Sequence, residues 1–192
     1  MSLHLPPRSL ANRHPMALKP TIYKFKIALS DMDRDVYDTF NLTIALHPSE
    51  TLERMMARVM AFCFNADEQL VFCKGLSDSD EPDLWQHGLD GQLTLWIEVG
   101  EPITNRIKKA TRMAPVKVYC FNNKANTWWD LNQQDIGQLS ASIYQLQWPQ
   151  MQALAKLVDR TVDASVTITD GTAYVATEQG ECEVSVQQLQ SI

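Results

Sequence analysis

The run Leu93-Thr94-Leu95-Trp96-Ile97-Glu98-Val99-Gly100 constrains this chain more than any other stretch. Its apolar residues are set too densely for a half-exposed strand, so it predicts a buried, central one. Near its end stands an acid, Glu98. A carboxylate there is costly to desolvate unless a cation, a metal or a hydrogen-bond donor meets it. Upstream, a second acid, Asp83, closes the turn-like Glu81-Pro82-Asp83 and is followed by Leu84-Trp85. Two acids brought together by a strand are what a divalent-metal site needs. A basic cluster, Arg106-Ile107-Lys108-Lys109, then opens the next expected helix. An acid, a strand acid and a nearby lysine, in this order, form the skeleton of a metal-dependent phosphodiesterase site.

With 192 residues, 45% of them hydrophobic, the chain can bury a full core as one domain. No window reaches the apolar length that crosses a bilayer. Cys63, Cys73, Cys120 and Cys182 have no ligand-like spacing and read as buried reduced thiols, which suits a cytoplasmic protein. A formal net charge of −6 excludes a general nucleic-acid coat protein, since nonspecific affinity for phosphate chains comes from lysine and arginine. It still allows a nuclease with one local basic wall. Residues 1–15 carry three prolines and no period, and are expected to be a disordered extension; patterned sequence begins at Met16.

From Met16 onward strand and helix signals alternate. Thr21 to Leu29 alternates apolar and polar residues as a strand with one covered face, and Tyr37 to Leu46 reads as its antiparallel partner. His47-Pro48-Ser49-Glu50 predicts a helix start, with serine as cap and an acid at the positive end of the dipole. Beyond it Leu52, Met55, Met56, Val59, Met60, Cys63 and Phe64 recur at the helical period as a core stripe. Gln69–Lys74 is a short strand, 77–82 an acidic loop and Gln92–Val99 the central strand, followed by a helix over Thr104–Met113. A strand over Pro115–Phe121, a helix over Asn126–Gln134, a strand over Ser142–Leu146 and a helix over Pro149–Val158 come next. The tail is all strand, turning on Asp170-Gly171, a strong hairpin signal. The expected fold class is therefore α+β or α/β: a mixed β-sheet flanked by helices and finished by a C-terminal β-meander.

Three motifs carry a resemblance. His47-Pro48-Ser49-Glu50-Thr51, Trp96-Ile97-Glu98-Val99-Gly100 and Arg106-Ile107-Lys108-Lys109-Ala110, in this order and spacing, resemble the YaeQ family of bacterial proteins, from Met16 to the C-terminus. That family is similar in fold to PD-(D/E)XK nucleases, of the restriction-endonuclease type, whose core is a helix, three strands, a helix and a further strand. The resemblance implies that the first acid of the nuclease motif falls on Asp83 and the second on Glu98. The lysine of that motif should stand two positions past the second acid, where this chain has Gly100. Lys108 or Lys109, with Arg106 nearby, is the expected replacement from the following helix. Glu50, with Glu53 as substitute, matches the further acid that the first helix of such folds supplies.

On this reading Asp83, Glu98 and Glu50 hold Mg²⁺ or Mn²⁺ through hard oxygen ligands, and the displaced lysine offsets charge on the phosphate. DNA or RNA is the expected partner, met by the basic wall. Plainer roles stand beside each residue. Glu98 can be a buried acid paired with an arginine, Asp83 a turn residue, and Glu50 a complement to the helix dipole. Arg106, Lys108 and Lys109 can be a solvated helix face. Trp128 and Trp129 offer either a stacking platform for bases or a helix edge that is half core and half surface. Two functions from different classes follow: a Mg²⁺- or Mn²⁺-dependent nuclease, or a nuclease-like fold that no longer cuts and serves as a nucleic-acid-binding or protein-interaction module.

Overall fold

The computed structural model of the protein describes residues 19–192. The expected extension at 1–15 lies outside the described residues. Strands β1 (Thr21–Asp31) and β2 (Val36–Leu46) form a long antiparallel hairpin, in register from Thr21↔Leu46 to Asp31↔Val36. Helix α1 (Leu52–Cys63) follows, then β3 (Leu70–Phe72), β4 (Leu84–His87) and β5 (Leu93–Val99). Helix α2 (Thr104–Ala110) leads to β6 (Val116–Cys120), α3 (Ala125–Ile136) to β7 (Ala141–Leu146), and α4 (Trp148–Ala155) to β8 (Thr161–Thr169). Strands β9 (Thr172–Thr177) and β10 (Gly180–Gln190) complete the chain.

All ten strands join one mixed sheet in the order β2-β1-β8-β9-β10-β7-β6-β5-β4-β3. The expected meander is β8-β9-β10, antiparallel throughout, and its first turn places Asp170 and Gly171 at φ 49° and 70°, as a two-residue hairpin of this kind demands. Strand β5 is interior, antiparallel to β4 and parallel to β6, with Ile97 fully buried.

The sheet is nearly closed, and α1 runs inside the curve. Every residue from Met55 to Cys63 is buried, so the methionine stripe meets apolar partners all round rather than on one face. Phe62 of α1 touches Phe40 of β2 edge-on and stacks with Phe72 of β3, bridging the two edge strands. A second core lies on the other face of β5, β6 and β7. There Trp96, Ile107, Val116, Val118, Ile136 and Ile143 pack α2 and α3 onto the sheet, with Trp128 and Trp129 partly buried against them. The tryptophan pair thus helps build this core, and Trp128 spends its Nε1–H on the Pro102 carbonyl, 3.0 Å away.

Three expectations need correction. The first helix begins at Leu52 and is capped by Thr51, whose Oγ1 accepts from Arg54 N at 3.2 Å. Ser49 is not the cap, because 47–50 closes a turn through Glu50 N and the His47 carbonyl, and Glu50 is drawn into the interior. The segment after Asp83, for which the sequence predicts no element, is a strand, β4. And α1 does not flank the sheet but is wrapped by it.

Candidate functional site

A cleft of about 450 Å³ opens at the carboxyl end of β5, between the start of α1 and the start of α2. Residues from β5 and the loops at 75–83, 100–102 and 121–122 line it, among them Arg54, Asp83, Glu98, Glu101 and Arg106. Gly100, at φ 112°, turns the chain out of β5. Glu101 can then accept from the backbone N–H groups of Phe121 and Asn122, at 3.0 and 3.1 Å. The Gly100 position is used for backbone direction, and a side chain there would be strained.

Each of the three acids marked by the sequence is buried, and each faces an arginine. Asp83, 3% exposed, accepts from Arg54 Nη2 on Oδ1 at 2.7 Å and from the Val99 backbone N–H on Oδ2 at 2.8 Å. Glu50, 8% exposed, accepts from Arg54 Nη1 at 2.7 Å. Glu98, 5% exposed, takes Arg106 Nε at 2.8 Å and Trp96 Nε1 at 2.7 Å, both on Oε1. Among the described residues its Oε2 accepts no hydrogen bond. Burial raises the Glu98 carboxyl above its ordinary range, and the hydrogen bonds from Arg106 and Trp96 only partly offset that. Burial alone would lower the Arg54 guanidinium, but Asp83 and Glu50 outweigh it and leave its proton more firmly held than usual.

Arg54, which lines the cleft, and Arg58, buried behind it, are the cations at the candidate site that sequence reasoning missed. Arg58 is 2% exposed, donates to the Ala45 carbonyl of β2 at 3.2 Å and lies over the Phe72 ring of β3, so it closes the seam between the edge strands. Its Nε is 3.1 Å from Glu50 Oε1 but is not aimed at it, and is left without a hydrogen-bond acceptor among the described residues. Burial lowers the Arg58 pKa, with Glu50 opposing. A signal for both was present: Glu50, Arg54 and Arg58 recur every four residues, the spacing of one helix face.

The basic cluster divides. Arg106 turns inward; besides Glu98 it donates to the carbonyls of Ser79 and, at 2.7 Å, Glu81, pinning the acidic loop to α2. Lys108 and Lys109 are exposed in the last turn of α2, and among the described residues neither makes an ion pair. Lys109 instead lines a neighbouring cavity of about 520 Å³ with Trp96, Ile103 and Met113. The cation beside Glu98 is Arg106, because Ile107 and Ala110 must face the second core and this turns 108 and 109 outward.

The three carboxylates do not fit a divalent ion in this arrangement. Among the described residues three guanidiniums already face these three acids and offset their charge, which leaves them little with which to hold a metal against its hydration. The orphaned buried atom at the site, Arg58 Nε, is a donor and calls for an oxygen acceptor, not a cation. Among the described residues no group of three or more His, Cys, Asp or Glu side chains converges closely enough to hold one.

A family model described as YaeQ protein matches residues 16–186. The chain belongs to the YaeQ family. It is 39% identical over 178 residues to the uncharacterised YaeQ protein of Escherichia coli (strain K12), an alignment covering 91% of this chain and 98% of that one. The uncharacterised YaeQ protein of Salmonella typhi is equally similar over the same span. The crystal structure of YaeQ from Xanthomonas axonopodis pv. citri superposes with a TM-score of 0.87 at 34% identity, covering 90% of this chain and 99% of that chain. YaeQ from Pseudomonas syringae gives 0.85 at 37% identity, over 90% and 97%. Among the described residues no helix is long and apolar enough to cross a membrane.

Proposed function

We propose that this YaeQ-family chain is a non-catalytic module with a nuclease-like core, and that its cleft binds a basic segment of a partner protein. The observation that carries this reading is the pairing of Asp83 with Arg54 and of Glu98 with Arg106. Both cations that line the cleft are already spent, while five carboxylates line it: Asp78, Glu81, Asp83, Glu98 and Glu101. Among the described residues a phosphodiester chain entering this acid-rich cleft meets no unpaired cation lining it, and the net charge of −6 adds to the repulsion. A lysine or arginine side chain entering the same cleft finds Glu98 Oε2 as an acceptor and competes with the exposed Lys74 for the rim acids Asp78 and Glu81.

A second reading, a PD-(D/E)XK-like nuclease using Mg²⁺ or Mn²⁺, is favoured by the element order. The run α1, β3, β4, β5, α2, β6 is a helix, three strands, a helix and a further strand, with Asp83 and Glu98 in one cleft. A single set of measurements separates the two. A fluorescent oligo-arginine peptide and labelled DNA and RNA oligonucleotides are titrated by anisotropy, and the oligonucleotides are incubated with either metal beside Glu98→Ala. Peptide binding weakened by Glu81→Gln and Glu101→Gln, without oligonucleotide binding, is the expected result. Metal-dependent cleavage that disappears in Glu98→Ala would sink the binding-module reading.

A further inference from the structure

We infer that Arg54 is a built-in cation standing where the cleft would otherwise hold a divalent metal ion, an inference that rests on the metal-free reading above. Three oxygens from three separate segments converge on its guanidinium: Glu50 Oε1 at 2.7 Å, Asp83 Oδ1 at 2.7 Å and the Val99 carbonyl at 3.3 Å. Two carboxylates and a main-chain carbonyl are the hard donor set that Ca²⁺, Mn²⁺ or Mg²⁺ takes. Here the set is satisfied by five-donor planar chemistry instead. Nη2 alone meets both Asp83 and Val99. The guanidinium keeps its charge at any ordinary pH, so the position is filled permanently, without dependence on metal supply.

The surroundings hold the arrangement in place. Asp83 is fixed from behind by the Val99 N–H, and Glu50 is held by its turn, where the His47 N–H lies 3.3 Å from Oε2. The oxygens therefore cannot simply swing apart when the arginine is removed. Their negative charge stays buried, and a small divalent ion is the ligand that would relieve it. A lysine at this position keeps the charge but presents a single compact ammonium. It should block the metal as arginine does.

The experiment uses the full chain as wild type, Arg54→Gln and Arg54→Lys, with MnCl₂ as titrant and Tb³⁺ luminescence as a second probe. Arg54→Gln should gain one Mn²⁺ site per chain, bind about tenfold more tightly or better than wild type, and melt at a higher temperature when Mn²⁺ is added. Adding Asp83→Asn to it should abolish the gain. Wild type and Arg54→Lys should show neither effect. If Arg54→Gln folds only with Mn²⁺ present, that supports the inference equally; a variant that stays unfolded with Mn²⁺ overturns it, as does a folded one that gains nothing. Tight Mn²⁺ binding by the wild type would instead overturn the metal-free reading on which the inference stands.

Discussion

Arg54 Nη2 and Asp83 Oδ1 lie 2.7 Å apart, joining the first turn of α1 to the residue that precedes β4. The other oxygen of Asp83 holds the Val99 N–H at the end of β5. One side chain thus ties together the helix inside the curved sheet and the two strands that frame the cleft. Exposed ion pairs contribute little, but this aspartate is almost wholly buried, and leaving its charge alone would be expensive.

Arg54→Ala should therefore destabilise the fold by about 3–5 kcal/mol, the cost of stranding a buried charge. Asp83→Ala combined with Arg54→Ala should cost less than the two single losses added together, because the double variant leaves fewer orphans. Urea unfolding of the four proteins measures both. A loss for Arg54→Ala below about 1 kcal/mol, the range of a solvated surface pair, would contradict the buried role.

Glu98 predicts a pH dependence. Its carboxyl is raised above the ordinary 4.5 by burial, so the folded chain holds that proton more tightly than the unfolded one. Its contribution to stability is complete below the unfolded pKa and is lost as pH rises through the folded value. Glu98→Gln carries no such titration. The stability of wild type minus that of Glu98→Gln should fall as pH rises through this window above 4.5 and then level off. Denaturant midpoints measured across the acid range would show it, and a difference that rises with pH would mean that Arg106 outweighs burial.

The local signals in the sequence were enough for most elements. Alternation marked β1 and β2, Asp170-Gly171 marked the β8–β9 turn, and the dense apolar run marked β5 as interior. The acids at 50, 83 and 98 were legible as site residues, and Glu98 alone as a buried charge in need of a partner. Their partners were not, because pairing Arg54 with Asp83 spans 29 residues and depends on how α1 enters the sheet. Nor was the enclosure of α1: a helix with one apolar stripe normally lies on a sheet, and here closure of the β1–β2 and β3 edges around Phe62, together with α4 packed against it, buries its other faces. Strand β4 is four residues long, too short to show a period, and it exists through pairing with β3 and β5.

Lys108→Ala and Lys109→Ala should each leave stability within about 0.5 kcal/mol of wild type, as exposed side chains do that make no ion pair among the described residues. They should also leave the Glu98 pH profile untouched. A shift in that profile with either variant would place a lysine ammonium near the carboxyl, contrary to the outward direction of both.

Gly75→Ala should destabilise by about 1–3 kcal/mol, the cost of holding a residue in a rarely populated backbone region. Gly75 has φ 57°, and an added Cβ would meet Arg58 Nη1 at 2.9 Å. Arg58 has little freedom to withdraw, since the Ala45 carbonyl and the Phe72 ring hold it in the seam. Thermal unfolding reports the loss, and a neutral result would mean that Arg58 is not fixed there.

Arg106 makes the loop over 78–82 part of the cleft wall, through its contacts with the Ser79 and Glu81 carbonyls and with Glu98. A guanidinium serves all three acceptors because its donors are spread over a rigid fork, whereas an ammonium is one compact point. Arg106→Lys keeps the charge beside Glu98 and should give up the loop. The expected cost is about 1–3 kcal/mol for hydrogen bonds to a charged group. More telling is its location: amide exchange should accelerate at 78–82 while β5 and β6 keep their protection, since the strands are held by ladder bonds and apolar packing on both faces. If exchange in that loop is unchanged in Arg106→Lys, the loop is held by its own turns, and the cleft wall does not depend on α2.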